Sequence, residues 1–181
     1  DEEAMAPPRK APEDGKVDFH ASFVPLSAPV CFVNNRTVCY AVADNVCLWN
    51  IEDGSRSYLH TTVYGITKLC CNAERGMVAF CEGGASPQVF VYSMEPKKLM
   101  FTISDVAELE LADMAFSRCG SRLYVLSRAT SKKLAVFSMQ TGLRLKGCDL
   151  DLPLRFDKLS VYPGHKDHLA LIRGSSVRIV T

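Results

Sequence analysis

The chain has 181 residues, 48% of them hydrophobic and 23% charged, with 21 Lys and Arg against 20 Asp and Glu. That length suits one domain with a real core, and the composition is ordinary for a globular chain. The charges are interleaved, which argues against nucleic acid or an anionic membrane as partner, and no apolar stretch approaches the ~18 residues of a membrane helix.

Residues 1–16 form a polar, Pro-rich tail with no apolar h-region, so they do not read as a secretory signal. The chain opens on Asp1 rather than Met, which suggests part of something longer. Val17 to Phe23 ("VDFHASF") alternates apolar and polar residues, as a half-buried strand does. It is the candidate outer strand that closes a ring by pairing the N-terminus with the C-terminus.

From residue 26 onward the sequence repeats. The first unit, 26–62, holds apolar runs at Pro29–Val33, Thr37–Val42, Val46–Ile51 and Ser57–His60. The second, 63–104, holds Ile66–Cys70, Met77–Cys81, Val89–Met94 and Leu99–Ile103. The third, 105–148, holds Leu111–Phe116, Ser121–Leu126, Leu134–Met139 and Leu143–Leu145. Ser104–Asp113 has some helical spacing and is read as loop plus first strand. The fourth, 149–181, has three runs, at Leu159–Tyr162, His168–Ile172 and Val177–Thr181.

The third runs align by residue class: "VCLWNI", "VFVYSM" and "LAVFSM" are aliphatic, variable, aliphatic, aromatic, small polar, large apolar. Val46, Val89, Leu134 and Val177 stand 43, 45 and 43 residues apart. Turn residues separate the runs: Asn34-Asn35, Asp53-Gly54, Gly83-Gly84, Gly120, Thr141-Gly142 and Pro163-Gly164. Four short strands in ~44 residues is the period of a WD-type propeller blade. The expected fold is all-β and WD40-like, with three to four blades present. An open row would leave a sheet face exposed at each end, so an arc of a larger propeller, seven-bladed or double, is expected. Lys97, Lys98, Arg144 and Lys146 would guard the outer edges.

Eight cysteines contain no C-x-x-C pair. Cys31, Cys39, Cys47, Cys81 and Cys119 sit in or at the end of apolar runs, and Cys70-Cys71 would face opposite sides of a strand. They read as reduced small hydrophobes.

Catalytic chemistry finds little to build on. His20, His60, His165 and His168 are the only histidines. His165-Lys-Asp-His168 lies in a Pro-Gly turn, where two ligands from one loop make a poor metal site. Gly83-Gly84 precedes no helix and so cradles no phosphate. No G-x-S-x-G or S-x-D-x-G-x-x-W occurs, and the inner strands carry one carboxylate, Asp113. No enzyme activity, cofactor or metal is expected. Strong WD repeats end on Trp-Asp; here Trp49-Asn50, Tyr92-Ser93 and Phe137-Ser138 stand there. The blade aromatics Trp49, Tyr92 and Phe137 should therefore fill space, while Asn or Ser bonds its own turn.

Gly65 to Tyr92, with its Glu82…Pro87…Val91-Tyr92 run, resembles a blade of the cilia- and flagella-associated WD-repeat proteins. Thr37 to Asn50 is similar to the blade before it, with Asp44 where the family often has Gly. Met114 to Leu123 ("MAFSRCGSRL") matches the general WD step, and the likeness covers roughly residues 26 to 145. It implies a non-enzymatic scaffold of the motile axoneme, with propellers followed by coiled coil, that holds dynein or regulatory complexes on doublet microtubules. Partners would be axonemal complex subunits, including tubulin or dynein-associated proteins, in a hetero-oligomeric assembly. The candidate rim contacts are Asn35, Arg36, Glu82, Pro87, Arg128, Lys132, His165 and Lys166. The alternative is a cytosolic WD adaptor for a multiprotein complex outside cilia.

Overall fold

The turn chemistry closes its hairpins as the spacing requires. In the first and third units Gly54 N–H donates to Asn50 O at 3.0 Å and Gly142 N–H to Ser138 O at 2.8 Å. Both glycines have φ near +72°, at +72° and +73°, a region that strains any residue with a Cβ. A computed structural model describes residues 30–42, 44–59, 64–107, 110–128, 133–150, 156–164 and 168–181. Among them all regular structure is β-strand.

The strands fall into four antiparallel sheets. The first holds β1 (Cys31–Phe32), β2 (Thr37–Val42), β3 (Asn45–Asn50) and β4 (Arg56–Leu59). The second holds β5 (Ile66–Asn72), β6 (Met77–Glu82), β7 (Val89–Met94) and β8 (Lys97–Ile103). The third holds β9 (Leu111–Phe116), β10 (Arg122–Ser127), β11 (Lys133–Ser138) and β12 (Arg144–Asp149). The fourth holds β13 (Lys158–Val161), β14 (Leu169–Arg173) and β15 (Ser176–Val180). Each is a simple meander in which sequence neighbours pair. Strand ends differ from the apolar runs by a residue or two, except at β12, which continues four residues past Leu145 to Asp149; β1 pairs only through Cys31 and Phe32.

A four-stranded meander of this size cannot bury both faces alone, and stacking supplies the cover. β5 packs beside β9, and β9 beside β13, so the first strand of each sheet lies on a common inner side. Val33, Cys39, Val46 and Leu48 of the first sheet pack on Ile66, Leu69, Val78 and Phe80 of the second. Ala79, Cys81, Val89 and Val91 meet Leu111, Met114, Leu123 and Phe137. Tyr124, Leu126 and Leu134 meet Phe156, Leu159, Leu169 and Leu171. β6, sandwiched on both sides, is buried at all six positions. Among the described residues no apolar cluster joins the fourth sheet back to the first. The architecture is thus a row of WD40-like blades.

The outer strands carry the expected charges, with Lys97, Lys98, Arg144 and Lys146 exposed. Lys97 also bridges two blades, its Nζ donating to Tyr58 O at 3.2 Å. Ser104–Ala107 is loop rather than helix, with Val106 buried beneath it. Cys70 and Cys71 do face opposite sides: Cys70 joins the core between the second and third blades, Cys71 that between the first and second. Burial pushes the Cys70 thiol well up and the Cys81 thiol up to about 12. Cys119 departs from the expectation. It is exposed, because the chain turns between Ser117 and Arg122. The tail and the Val17–Phe23 strand lie outside the described residues.

Candidate interaction rims

Antiparallel meanders place alternate turns at opposite ends of each sheet, and this divides the candidate contacts. Asn35 and Arg36 belong to a turn between first and second strands, at one rim. Glu82, which ends β6, and Pro87 and Arg128, in loops between second and third strands, lie at the other. His165, Lys166 and Lys132 lie outside the described residues.

On the first rim, Asn34 Oδ1 accepts from the N–H groups of Arg36 and Thr37 at 2.9 and 2.8 Å, which fixes the turn and leaves Asn35 and Arg36 exposed. Arg36 Nε pairs with Glu52 at 3.1 Å, in water, where such a pair is worth a few tenths of a kcal/mol. The turns of neighbouring blades are then tied together. Asn72 Nδ2 donates to Ser117 O at 2.9 Å and to Arg118 O at 2.8 Å, while its Oδ1 accepts from Arg75 N–H. Arg118 in turn reaches Glu74 at 3.1 Å and Pro163 O at 3.4 Å. An open cleft of about 650 Å³ lies there between the second and third blades, lined by Arg75, Met77, Met100, Cys119, Met139 and Leu145. The hydroxyls of Ser121 and Ser117 pull the Cys119 thiol down to about 7.

The second rim corrects two expectations. Glu82 and Pro87 are buried rather than presented to a partner. The loop between them folds inward: Glu82 N–H donates to Gln88 O and Gly83 N–H to Gly65 O. A Cβ on Gly83 would stand 2.6 Å from Tyr64 O, so glycine permits that close approach. Burial also raises the Glu82 carboxyl above its ordinary value. Gly84, Ala85 and Ser86 are the exposed part of this loop. Arg128 is exposed and pairs with Glu110 at 3.1 Å.

The blade aromatics occupy stacking positions. Tyr92 lies in the core between first and second blades, stacked on Phe80 with ring centroids 5.8 Å apart. Phe137 lies in the next core along. Trp49 packs with Val38, Tyr40 and Cys47, and the Arg56 guanidinium stands 5.9 Å from its ring centroid. Each of the three therefore faces backward along the row. The polar partners bond their own turns, as Asn50 does through Oδ1 to Glu52 N–H at 3.0 Å and Ser138 through Oγ to Gln140 N–H at 3.2 Å.

Asp113, the lone inner-strand carboxylate, holds two backbone amides. Its Oδ2 accepts from Leu159 N–H at 2.8 Å, across the gap to the fourth blade, and its Oδ1 from Met114 N–H at 2.9 Å. Sequence reasoning missed this role, because the partner lies 46 residues downstream. Among the described residues no three His, Cys, Asp or Glu side chains converge in a way that could hold a metal ion.

No protein-family model matches the chain. It is 25% identical over 116 residues to cilia- and flagella-associated protein 43 of Xenopus laevis, covering 64% of this chain and 7% of that protein. Against cilia- and flagella-associated protein 43 of Mus musculus it is 23% identical over 156 residues, covering 86% of this chain and 9% of that protein. The chain thus spans less than a tenth of either relative, and at the family level it is similar to cilia- and flagella-associated proteins.

Proposed function

We propose that these blades are part of a non-enzymatic docking scaffold of the motile cilium or flagellum, one arc of a larger WD-type propeller. The observation that carries the ciliary reading is the similarity to cilia- and flagella-associated protein 43, which in one relative runs over 86% of the chain. The physical reading agrees with it. The buried polar side chain of Asn72 serves the junction between the second and third blades, and that of Ser117 braces its own turn by accepting from Arg122 N–H. What remains at the rims is exposed turns and paired charges, the chemistry of a protein-binding surface rather than of a closed, preorganised pocket. The exposed face of the fourth sheet supports the larger propeller, since Val177 and Ile179 stand where the first two blades bury an aliphatic pair.

The test is the location of the tagged full-length protein in multiciliated cells. Signal along axonemes that survives detergent extraction is expected. A diffuse cytoplasmic signal would overturn the ciliary assignment in favour of an adaptor elsewhere.

A further inference from the structure

The faces that the blades turn back along the row are not filled alike. One matching position pairs third and fourth strands in each complete blade: Cys47 with Tyr58, Phe90 with Thr102, and Ala135 with Gly147. The third pair is the smallest, and beside Ala135 a cavity of about 410 Å³ opens between the second and third blades. That volume falls within the ~300–1,000 Å³ typical of ligand sites.

Buried Pro87, Val106 and Ala135 supply apolar walls. Two cations join them. Lys133 lines the cavity from the start of β11, half-buried. Arg144 starts at the far end of β12, opposite Phe137, and reaches the cavity by folding back over Gly147. A Cβ at Gly147 would collide with that guanidinium, so glycine clears its path. Among the described residues neither cation makes an ion pair. Asp149, opposite Lys133 in the ladder, does not line the cavity. Asp105, at a left-handed φ of +56°, is the carboxylate that does. Gln88 Nε2 donates to Ser104 Oγ at 3.4 Å, which leaves the Ser104 hydroxyl proton to point at a ligand.

We propose that this cavity takes the carboxylate of a Glu or Asp side chain on an acidic segment of a partner protein. Arg144 grips it with its planar fork, and Lys133 adds a second positive charge. Two cations against one carboxylate suit a monoanion. A phosphate, at nearly two negative charges, would stand incompletely neutralised beside Asp105. The assignment rests on the reading of the row as a docking scaffold, but not on where in the cell it docks.

The test is a nuclear magnetic resonance titration of the isotope-labelled chain with a blocked tripeptide, glutamate between two glycines. Saturable shifts of the Ser104, Ala135 and Gly147 amides are expected, and the glutamine counterpart should leave them in place. Arg144→Gln should weaken binding roughly tenfold. Asp105→Asn, which tolerates the same left-handed φ, should tighten it several-fold. Equal shifts with both peptides, or indifference to Arg144→Gln, would overturn the site. A phosphoserine peptide that binds tenfold tighter than the glutamate one would overturn the carboxylate assignment. Arg144 is exposed, so its variant should melt like the unaltered chain. If it does not, Gly147→Ala decides: it keeps Arg144 but displaces the guanidinium, and undiminished binding there overturns the site. The outcome is separate from that in multiciliated cells, since a cytoplasmic protein could bind the glutamate peptide and an axonemal one could fail to.

Discussion

The second and fourth blades are built to one pattern and meet different surroundings. Val89 and Val91 on β7 are completely buried, while Val177 and Ile179, at the matching positions of β15, face water. β6 is buried along its whole length, whereas its counterpart β14 alternates between buried and half-exposed. The residue types hardly differ, so the difference comes from the neighbour and not from the strand. In a stacked array the apolar pattern of one unit states what it can bury, and the adjacent unit decides whether it does.

The sharpest way to break the comparison is to place one charge at both positions. Val91→Asp should cost about 4 kcal/mol or more and abolish the cooperative thermal transition, because the carboxylate has no partner in a closed core. Ile179→Asp should stay within ~0.5 kcal/mol in this chain. If both variants melt alike, the cores between blades are not what stabilises the row. Next in size, Tyr92→Ala removes a ring stacked on Phe80 and should cost roughly 3 kcal/mol, seen as a fall in melting temperature of about 10 °C. Asn72→Ala leaves Ser117 O and Arg118 O without its amide and should cost about 1–2 kcal/mol by chemical denaturation. Smallest is Ser93→Ala. The hydroxyl makes a long 3.5 Å bond to Glu95 O at the surface, so its melt should match the unaltered protein within ~0.5 kcal/mol.

Much of the fold could be read from the chain because each blade repeats both its apolar runs and its turns. Asp53-Gly54 and Thr141-Gly142 mark the same hairpin, and both glycines adopt the same positive φ. The opposed faces of Cys70 and Cys71 followed from strand geometry alone. What escaped was whatever depends on a partner far along the sequence. Asp113 looked like an isolated carboxylate until Leu159 of the next blade came to it. Glu82 and Pro87 looked like exposed loop residues, because composition does not reveal that their loop folds back on Tyr64 and Gly65. The rims are therefore only partly legible: Arg36 and Arg128 are presented to solvent, whereas Glu82 and Pro87 are withdrawn.

Two of the polar links described above share a spacing that gives the row a mechanical character. Asn72 grips Ser117, 45 residues on, and Asp113 grips Leu159, 46 residues on, so each reaches one repeat ahead. Both are short hydrogen bonds made by residues on the inner strands. The outer strands are joined across one junction by the contact of Lys97 with Tyr58. Successive blades are thereby pinned by an inner-strand side chain as well as by their shared apolar core.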